Sequence, residues 1–213
     1  MSVRTENKAK RRADILRIAR RTLAREGFDA LKLRELAAAA GVTVPTVYNL
    51  VGGKPELLMT IVTEMVGQLM WNPEQAAALA IDQLFAAQIN HMSDLFASDE
   101  DSFRAAFLAG DRLGLFDRTS SAGFYRQAVE VPTEACRSAQ TQGLLMGHVS
   151  PDALGHQLYG CYRLARQDWS SGYIELPDFR VQALTGIFLC LAADASEPLR
   201  ANLLTRIAKA DFD

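Results

Sequence analysis

The sequence predicts an all-α protein of about nine or ten helices, in which three short N-terminal helices lead into a bundle of longer ones. Apolar residues recur at intervals of three and four along most of the chain, and no long segment alternates apolar and polar residues as a strand does. Glycine and proline separate short helical segments within the first sixty residues and longer ones in the remainder. Together these patterns favour a small helical head followed by a larger helical body.

The first helix is predicted from about Lys10 to Glu26, where apolar residues follow helical spacing and Gly27 ends the run. A second, short helix is predicted from about Leu33 to Ala40. Gly41 then breaks the pattern, as a tight turn between two crossing helices requires.

The third helix begins after Thr43, whose hydroxyl is placed to cap the first turn, where Pro45 loses no needed donor. Its inward residues are predicted to be Val47, Leu50 and Val51, and its outward residues Val44, Pro45, Tyr48 and Asn49. A helix of two turns is marginal in isolation. We therefore expect the first two helices to hold it by packing, which leaves its outer face free to enter a groove.

Longer helices are predicted after Gly52-Gly53, several of them opened by a proline, as at Ser150-Pro151. Their approximate spans are 55–70, a helix ending near Ala97 after a break at Trp71-Asn72-Pro73, 99–108, 123–145, 151–172, 177–195, and a last helix from Pro198.

Charge is divided unevenly along the chain. Residues 1–60 contain 12 Lys and Arg against 6 Asp and Glu, a net charge of +6, whereas the remainder carries a net charge of −8. A basic head on an acidic body predicts that only the head meets a polyanion.

Composition excludes several classes of protein. With 49% hydrophobic and 23% charged residues the chain is typical of a soluble globular protein, and its apolar runs are far shorter than the roughly 20 residues that span a bilayer. No membrane association is expected, and the absence of a signal-peptide core at the start predicts a cytoplasmic location. Cys136, Cys161 and Cys190 show no Cys-x-x-Cys spacing and are predicted to be small core residues. No metal or cofactor is predicted.

The segment from Arg11 to Leu58 resembles the N-terminal DNA-binding domain of the TetR family of transcriptional regulators. The resemblance rests on Ala-Gly-Val-Thr, on Pro-Thr-Val-Tyr, and on a lysine six residues after that tyrosine, with Glu-Leu-Leu shortly beyond. It covers about a quarter of the chain. It implies a helix-turn-helix DNA-binding domain over residues 1–54 and a helical ligand-binding and dimerisation domain over residues 55–213.

Carried onto this chain, the resemblance implies that one face of the third helix, with neighbouring cations, contacts DNA. The residues concerned are Lys32, Arg34, Thr43, Val44, Pro45, Thr46, Tyr48, Asn49 and Lys54. Their chemistry fits, since hydroxyls and Lys54 can donate to phosphate oxygens and Asn49 can pair with adenine. Two positions depart from the family pattern: Lys32 stands where a capping Thr or Ser is usual, and Val51 where many members have Phe.

The resemblance also implies a small-molecule cavity within the bundle, for an effector that is largely apolar. Candidate lining residues are Gln88, His91, Met92, Phe107, Phe124, Tyr125, His156, Tyr159 and Tyr162. The alternative for each of them is ordinary core packing.

Homodimerisation is predicted from two late helices, the second of which is apolar nearly all round and so requires a partner. The family's dimer is a four-helix interface made from this pair. The predicted interface residues are Leu154, Leu158, Ala165, Trp169, Val181, Leu184, Phe188 and Leu191.

These observations predict a homodimeric transcriptional regulator, most simply a repressor that a small molecule releases from a palindromic operator. One alternative is a DNA-binding module that senses no ligand. A second is an all-helical enzyme, which the sequence disfavours because it shows no nucleophile and base at recognisable spacing, no paired metal ligands and no cofactor loop.

Overall fold

The computed structural model describes residues 3–69 and 79–212, and side chains from residue 5 onward within those ranges. These residues form ten α-helices and one 3₁₀ turn, Phe28–Ala30, which confirms the all-α prediction. The helices are α1 (Val3–Glu26), α2 (Leu33–Ala39), α3 (Val44–Val51), α4 (Lys54–Leu69), α5 (Ile81–Ser98), α6 (Glu100–Arg112), α7 (Phe124–Thr141), α8 (Pro151–Ser170), α9 (Leu176–Ala192) and α10 (Glu197–Lys209). The predicted break at Trp71-Asn72-Pro73 lies outside the described residues.

The chain divides into two compact units. The first comprises Met1–Gln68 with Asp99–Leu115, and the second Leu69–Ser98 with Phe116–Asp213. The first unit therefore includes most of α4 and all of α6, in addition to α1, α2 and α3. A functional boundary at residues 54 and 55 remains a prediction.

The core of the first unit follows the apolar pattern of the sequence. Its buried residues include Ile15, Leu16, Ala19 and Leu23 of α1, Leu36 and Ala37 of α2, Val47 and Val51 of α3, and Leu57, Leu58 and Ile61 of α4. Leu50, which was expected to point inward, is only partly buried. The first helix begins at Val3 instead of Lys10, because apolar periodicity marks only the part of a helix that packs.

The second unit is built around α9, which packs against α5, α8 and α10. Phe96 stacks on Trp169 with ring centroids 4.6 Å apart, and Phe179 joins them at 5.3 Å from Phe96. A buried ion pair, Arg206 with Asp82 at 3.0 Å, links α10 to α5. α9 is thus surrounded by helices of its own chain.

A buried carboxylate explains why two helices end earlier than predicted. Asp194 accepts hydrogen bonds from the backbone N–H groups of Gly147 (3.0 Å), His148 (2.7 Å) and Val149 (3.2 Å). The adjacent backbone forms an isolated antiparallel bridge between Leu145 and Ala195. Residues 145–149 and 194–195 therefore bond to each other, so that α7 ends at Thr141 and α9 at Ala192.

None of the described helices is both long enough and apolar enough to cross a lipid bilayer.

Replacing Gly155 with alanine should destabilise the second unit. A Cβ at this position of α8 would lie 2.8 Å from the backbone nitrogen of Thr133 in α7, so the two helices would have to separate. We expect the free energy of unfolding to fall by about 1–3 kcal/mol, as measured by urea denaturation. Gly160→Ala on the same helix is the matched control, because a Cβ there meets nothing within 4 Å. It should be neutral or stabilising by up to about 1 kcal/mol. Equal stability of the two variants would contradict the close helix approach.

Candidate DNA-binding interface

The start of α3 is fixed by a side-chain cap, as the sequence predicted. The Thr43 hydroxyl accepts a hydrogen bond from the backbone N–H of Thr46 at 3.4 Å and lies 2.9 Å from the Thr46 hydroxyl. Pro45 occupies the first turn, where no intrahelical donor is lost. The cap satisfies one of the free amides of a helix that is only 8 residues long.

The turn before α3 brings it against α2. Gly41 has a φ of +64°, in the left-handed region that disfavours residues with a Cβ. The backbone N–H of Val42 donates to the carbonyl of Ala37 at 2.9 Å, which closes the end of α2. α3 consequently packs against both α1 and α2, in the predicted helix-turn-helix arrangement.

Burial divides α3 into an inner and an outer face. Val47 and Val51 are buried, which leaves Tyr48 56% exposed on the other side. Thr43, Pro45 and Asn49 are also exposed, and Val44 and Thr46 are partly exposed. The outer face therefore presents three hydroxyls and one carboxamide along with apolar surface, a set suited to phosphate and base-edge contacts.

Lys54, the first residue of α4, is held beside this face. Its Nζ donates a hydrogen bond to the carbonyl of Asp29 at 3.1 Å and lies 4.4 Å from the centroid of the Phe28 ring. Arg112 donates to the Asp29 carboxylate at 2.7 Å. This hydrogen bond and the charge of Arg112 lower the pKa of Asp29, and the charge of Lys54 adds to the effect. The ammonium group is positioned by contacts within the first unit and keeps part of its surface exposed.

The two cations of α2 are placed differently from Lys54. Lys32 is the N-cap of α2 and makes no side-chain cap bond, and its Nζ pairs with Glu35 at 3.0 Å. The departure from the usual capping residue is therefore visible in the structure. Arg34 is exposed and forms no ion pair with any residue that the structure describes. Its guanidinium is available for a backbone phosphate.

Three arginines spaced four residues apart on α1 were not among the predicted site residues. They lie along an open groove of the first unit with a volume of about 640 Å³. The lining residues include Arg17, Arg21 and Arg25 together with the acidic Glu64, Asp99 and Asp101. Arg12 and Arg20 pair with Glu64 across this groove. Because acids line it too, the groove is of mixed charge.

The predicted effector residues are divided between the two units. Phe107 belongs to the first unit and the other eight to the second. Tyr125, His156, Tyr159 and Tyr162 do lie together, with Tyr125 edge-on to Tyr159 at 5.2 Å and 6.1 Å from His156, and Tyr162 at 6.2 Å from Tyr159. Met92, Phe124 and Tyr159 are buried, Gln88, Tyr125, His156 and Tyr162 are partly buried, and His91 is exposed.

A buried cation in the second unit had no signal in the sequence. Arg166 of α8 is 2% exposed, and its guanidinium lies 4.8 Å from the centroid of the Phe116 ring. It follows no motif, and burial of an arginine depends on tertiary packing that the spacing of apolar residues does not reveal.

The predicted dimer residues require correction. Of the eight, only Val181 is exposed, at 42%, whereas Leu154, Leu158, Ala165, Trp169, Leu184, Phe188 and Leu191 are buried within their own chain. α9 is apolar nearly all round, and α5, α8 and α10 of its own chain cover most of it. The exposed large apolar residues of α8 and α9, besides Val181, are Leu164 at 55% and Leu189 at 52%.

Among the described residues, no group of three or more His, Cys, Asp and Glu side chains is arranged to hold a metal ion.

Residues 15–59, which contain α2, α3 and their turn, match the family described as bacterial regulatory proteins, tetR family. The tetR-family match therefore lies within the first unit. The matched segment includes the Thr43 cap, the exposed face of α3 and Lys54.

Several solved structures resemble the chain over most of its length. SmeT, the repressor of the Stenotrophomonas maltophilia multidrug efflux pump SmeDEF, is 19% identical with a TM-score of 0.68 and covers 88% of this chain and 92% of its own. A gamma-butyrolactone receptor, an ArpA-like protein, is 21% identical with a TM-score of 0.60, over 95% and 97%. Thermus thermophilus FadR, solved with lauroyl-CoA, is 19% identical with a TM-score of 0.60, over 85% and 93%. No curated protein sequence matches the chain. At these identities the structural likeness establishes the fold, and the tetR-family match supports a regulator and points away from an enzyme.

Removing the Tyr48 hydroxyl, or the Lys54 charge beside the outer face of α3, should weaken binding to DNA of any sequence. Tyr48→Ala and Lys54→Ala should each lower affinity for specific and random duplexes alike, because each removes a predicted phosphate contact. Lys54→Ala should also reduce the slope of log affinity against log salt by about 1, whereas Tyr48→Ala, which removes no charge, should leave that slope nearly unchanged. Fluorescence anisotropy over a salt series measures both quantities.

Two further variants serve as controls for these substitutions. Lys54→Arg keeps the charge and should retain most of the salt slope, and Lys209→Ala, which removes an exposed lysine from the last turn of α10, should leave binding unchanged. Unaltered affinity in both alanine variants would defeat the assignment of the α3 face to DNA.

Proposed function

We propose that the chain is a homodimeric transcriptional repressor that binds a roughly palindromic operator and is released from it by a small-molecule effector. The observation that carries the DNA-binding part is α3 itself: a capped two-turn helix with a buried apolar side and an exposed face containing Tyr48 and Asn49. Lys54 supplies a cation at the start of the next helix. A regulator of this kind acts in the cytoplasm, on chromosomal DNA.

Recognition would combine two kinds of contact. Thr43, Tyr48 and Lys54 donate to phosphate oxygens and fix the position of α3 on the duplex. Asn49 reads an adenine edge, and Val44 contacts a thymine methyl group. The net charge of +6 over residues 1–60 adds attraction that is independent of sequence and falls with salt.

Dimerisation is proposed through the exposed apolar residues of α8 and α9. Leu164, Val181 and Leu189 leave a sizeable apolar surface in water on the single chain. Pairing this surface with its copy would bury it and would place two copies of α3 in successive major grooves, about 34–36 Å apart.

Effector control is proposed to act through the distance between the two copies of α3 in the dimer. A ligand bound in the second unit releases DNA only to the extent that it binds more tightly to an arrangement whose recognition helices do not fit the operator. Support comes from the family match and from the cluster of Tyr125, His156, Tyr159 and Tyr162, which offers apolar faces with a few polar atoms.

Selection of duplexes from a random library tests the DNA-binding proposal directly. We expect an enriched, roughly palindromic sequence whose half-sites are centred about one helical turn or a whole number of turns apart. Recovery of a sequence with no repeated half-site would contradict a dimer of recognition helices. Thermal-shift screening of apolar small molecules, followed by displacement of the selected duplex, then tests the effector.

Charges placed on the exposed α8 and α9 face should produce monomers. Val181→Glu combined with Leu189→Glu puts two like charges on each surface of the pair, where burial would desolvate them. Sedimentation velocity should show the loss of the dimer, with weak binding to the full operator. Leu204→Glu is the control, since Leu204 is a similarly exposed leucine, at 47%, on α10. A dimer that survives in the double variant would rule out this interface.

A further inference from the structure

Two of the three cysteines lie side by side where α8 crosses α9. The sulfur atoms of Cys161 and Cys190 are 3.7 Å apart, although the residues are 29 positions apart in sequence. Both side chains are partly exposed. This proximity is not visible in the sequence, because the pair has no Cys-x-x-Cys spacing and is brought together only by helix packing.

A glycine makes room for this pair. Gly186 lies one turn before Cys190 on the same side of α9, and a Cβ there would approach the Cys161 sulfur to 2.9 Å. The absence of a side chain at position 186 therefore lets Cys161 reach across to α9 and meet Cys190.

We propose that Cys161 and Cys190 are a modification site, at which a hydroperoxide converts the two thiols of one chain into a reversible disulfide. A disulfide has a sulfur–sulfur distance of about 2.05 Å. The two sulfurs, 3.7 Å apart, must therefore approach by roughly 1.7 Å. The proposal does not depend on DNA binding or on an effector.

The chemistry proceeds in two balanced steps. The thiolate of Cys190 attacks one oxygen of the hydroperoxide, forming a sulfenic acid and releasing water or an alcohol. The Cys161 sulfur then attacks the sulfenic sulfur, losing its proton and displacing the hydroxyl group as water. The two thiols are oxidised by two electrons, and the peroxide is reduced. A dithiol such as dithiothreitol reverses the modification.

The electrostatics of the pair supply the first nucleophile. The hydrogen bond from Cys161 lowers the pKa of Cys190 to about 7, although partial burial opposes this effect. The same hydrogen bond, together with burial, raises the pKa of Cys161. One thiolate is therefore present near neutral pH, with its resolving thiol already in contact.

Cys136 is an internal control in the same chain. It is fully buried, and burial, with the charge of Asp194, raises the pKa of its thiol to about 12. It should remain reduced under conditions that oxidise the other two cysteines.

The experiment treats the reduced full-length chain with hydrogen peroxide and counts free thiols after denaturation. We expect the count to fall from three to one per chain and to return to three after dithiothreitol. Trypsin separates all three cysteines, because Arg137, Arg163, Arg166 and Arg180 lie between them. A linked pair of peptides containing Cys161 and Cys190 identifies the bridge by mass.

Two variants and a stability measurement sharpen the result. Cys161→Ser should leave Cys190 as a sulfenic acid that dimedone traps, and Cys190→Ser should react far more slowly. Oxidation of the unaltered chain should raise the apparent Tm by about 5 °C or more, since the bridge closes a loop of about 30 residues. The proposal is overturned if three thiols persist, if Cys136 reacts as fast as Cys190, or if the bridge joins two chains on a non-reducing gel.

Discussion

The burial of Val47 and Val51 is the constraint on which the rest of the first unit depends. α3 has 8 residues, too few for a helix to be stable alone in water. Its inner face is therefore held against α1 and α2, which themselves bury Ile15, Leu23 and Leu36. Since the apolar side is committed to packing, the opposite side stays in water, and the residues there are free to be chosen for recognition.

Lys54 is held beside this face without being paired to a carboxylate. The Lys54 ammonium group contacts the Asp29 carbonyl and the Phe28 ring, neither of which neutralises its charge. The carboxylate of Asp29, which is nearby, pairs with Arg112 instead. A lysine placed in this way retains its full charge for a phosphate, and its side chain has less freedom to lose on binding.

The sequence predicted the local features of the fold and of the site better than the tertiary ones. The Thr43 and Ser150 caps and the turn at Gly41 were predictable because each depends on a few adjacent residues. The ends of α7 and α9 were not, because Asp194 bonds to a segment more than forty positions earlier.

The surface of the second unit is another tertiary feature that the sequence did not predict. The sequence of an apolar helix such as α9 is the same whether its own chain or a partner covers it. For this reason Leu184 and Phe188 were assigned to an interface, although they belong to the core. The contact between Cys161 and Cys190, and the buried position of Arg166, likewise arise only when α8 packs against its neighbours.

The salt dependence of duplex binding by the unaltered chain is the most direct test of the central claim. With the outer face of α3 in a groove and several cations on the strands, the logarithm of the affinity should fall linearly with the logarithm of salt concentration. The slope should correspond to several phosphates, at about 0.9 per contact. Binding that is absent at every salt concentration, or present but insensitive to salt, would contradict the assignment of this face to DNA.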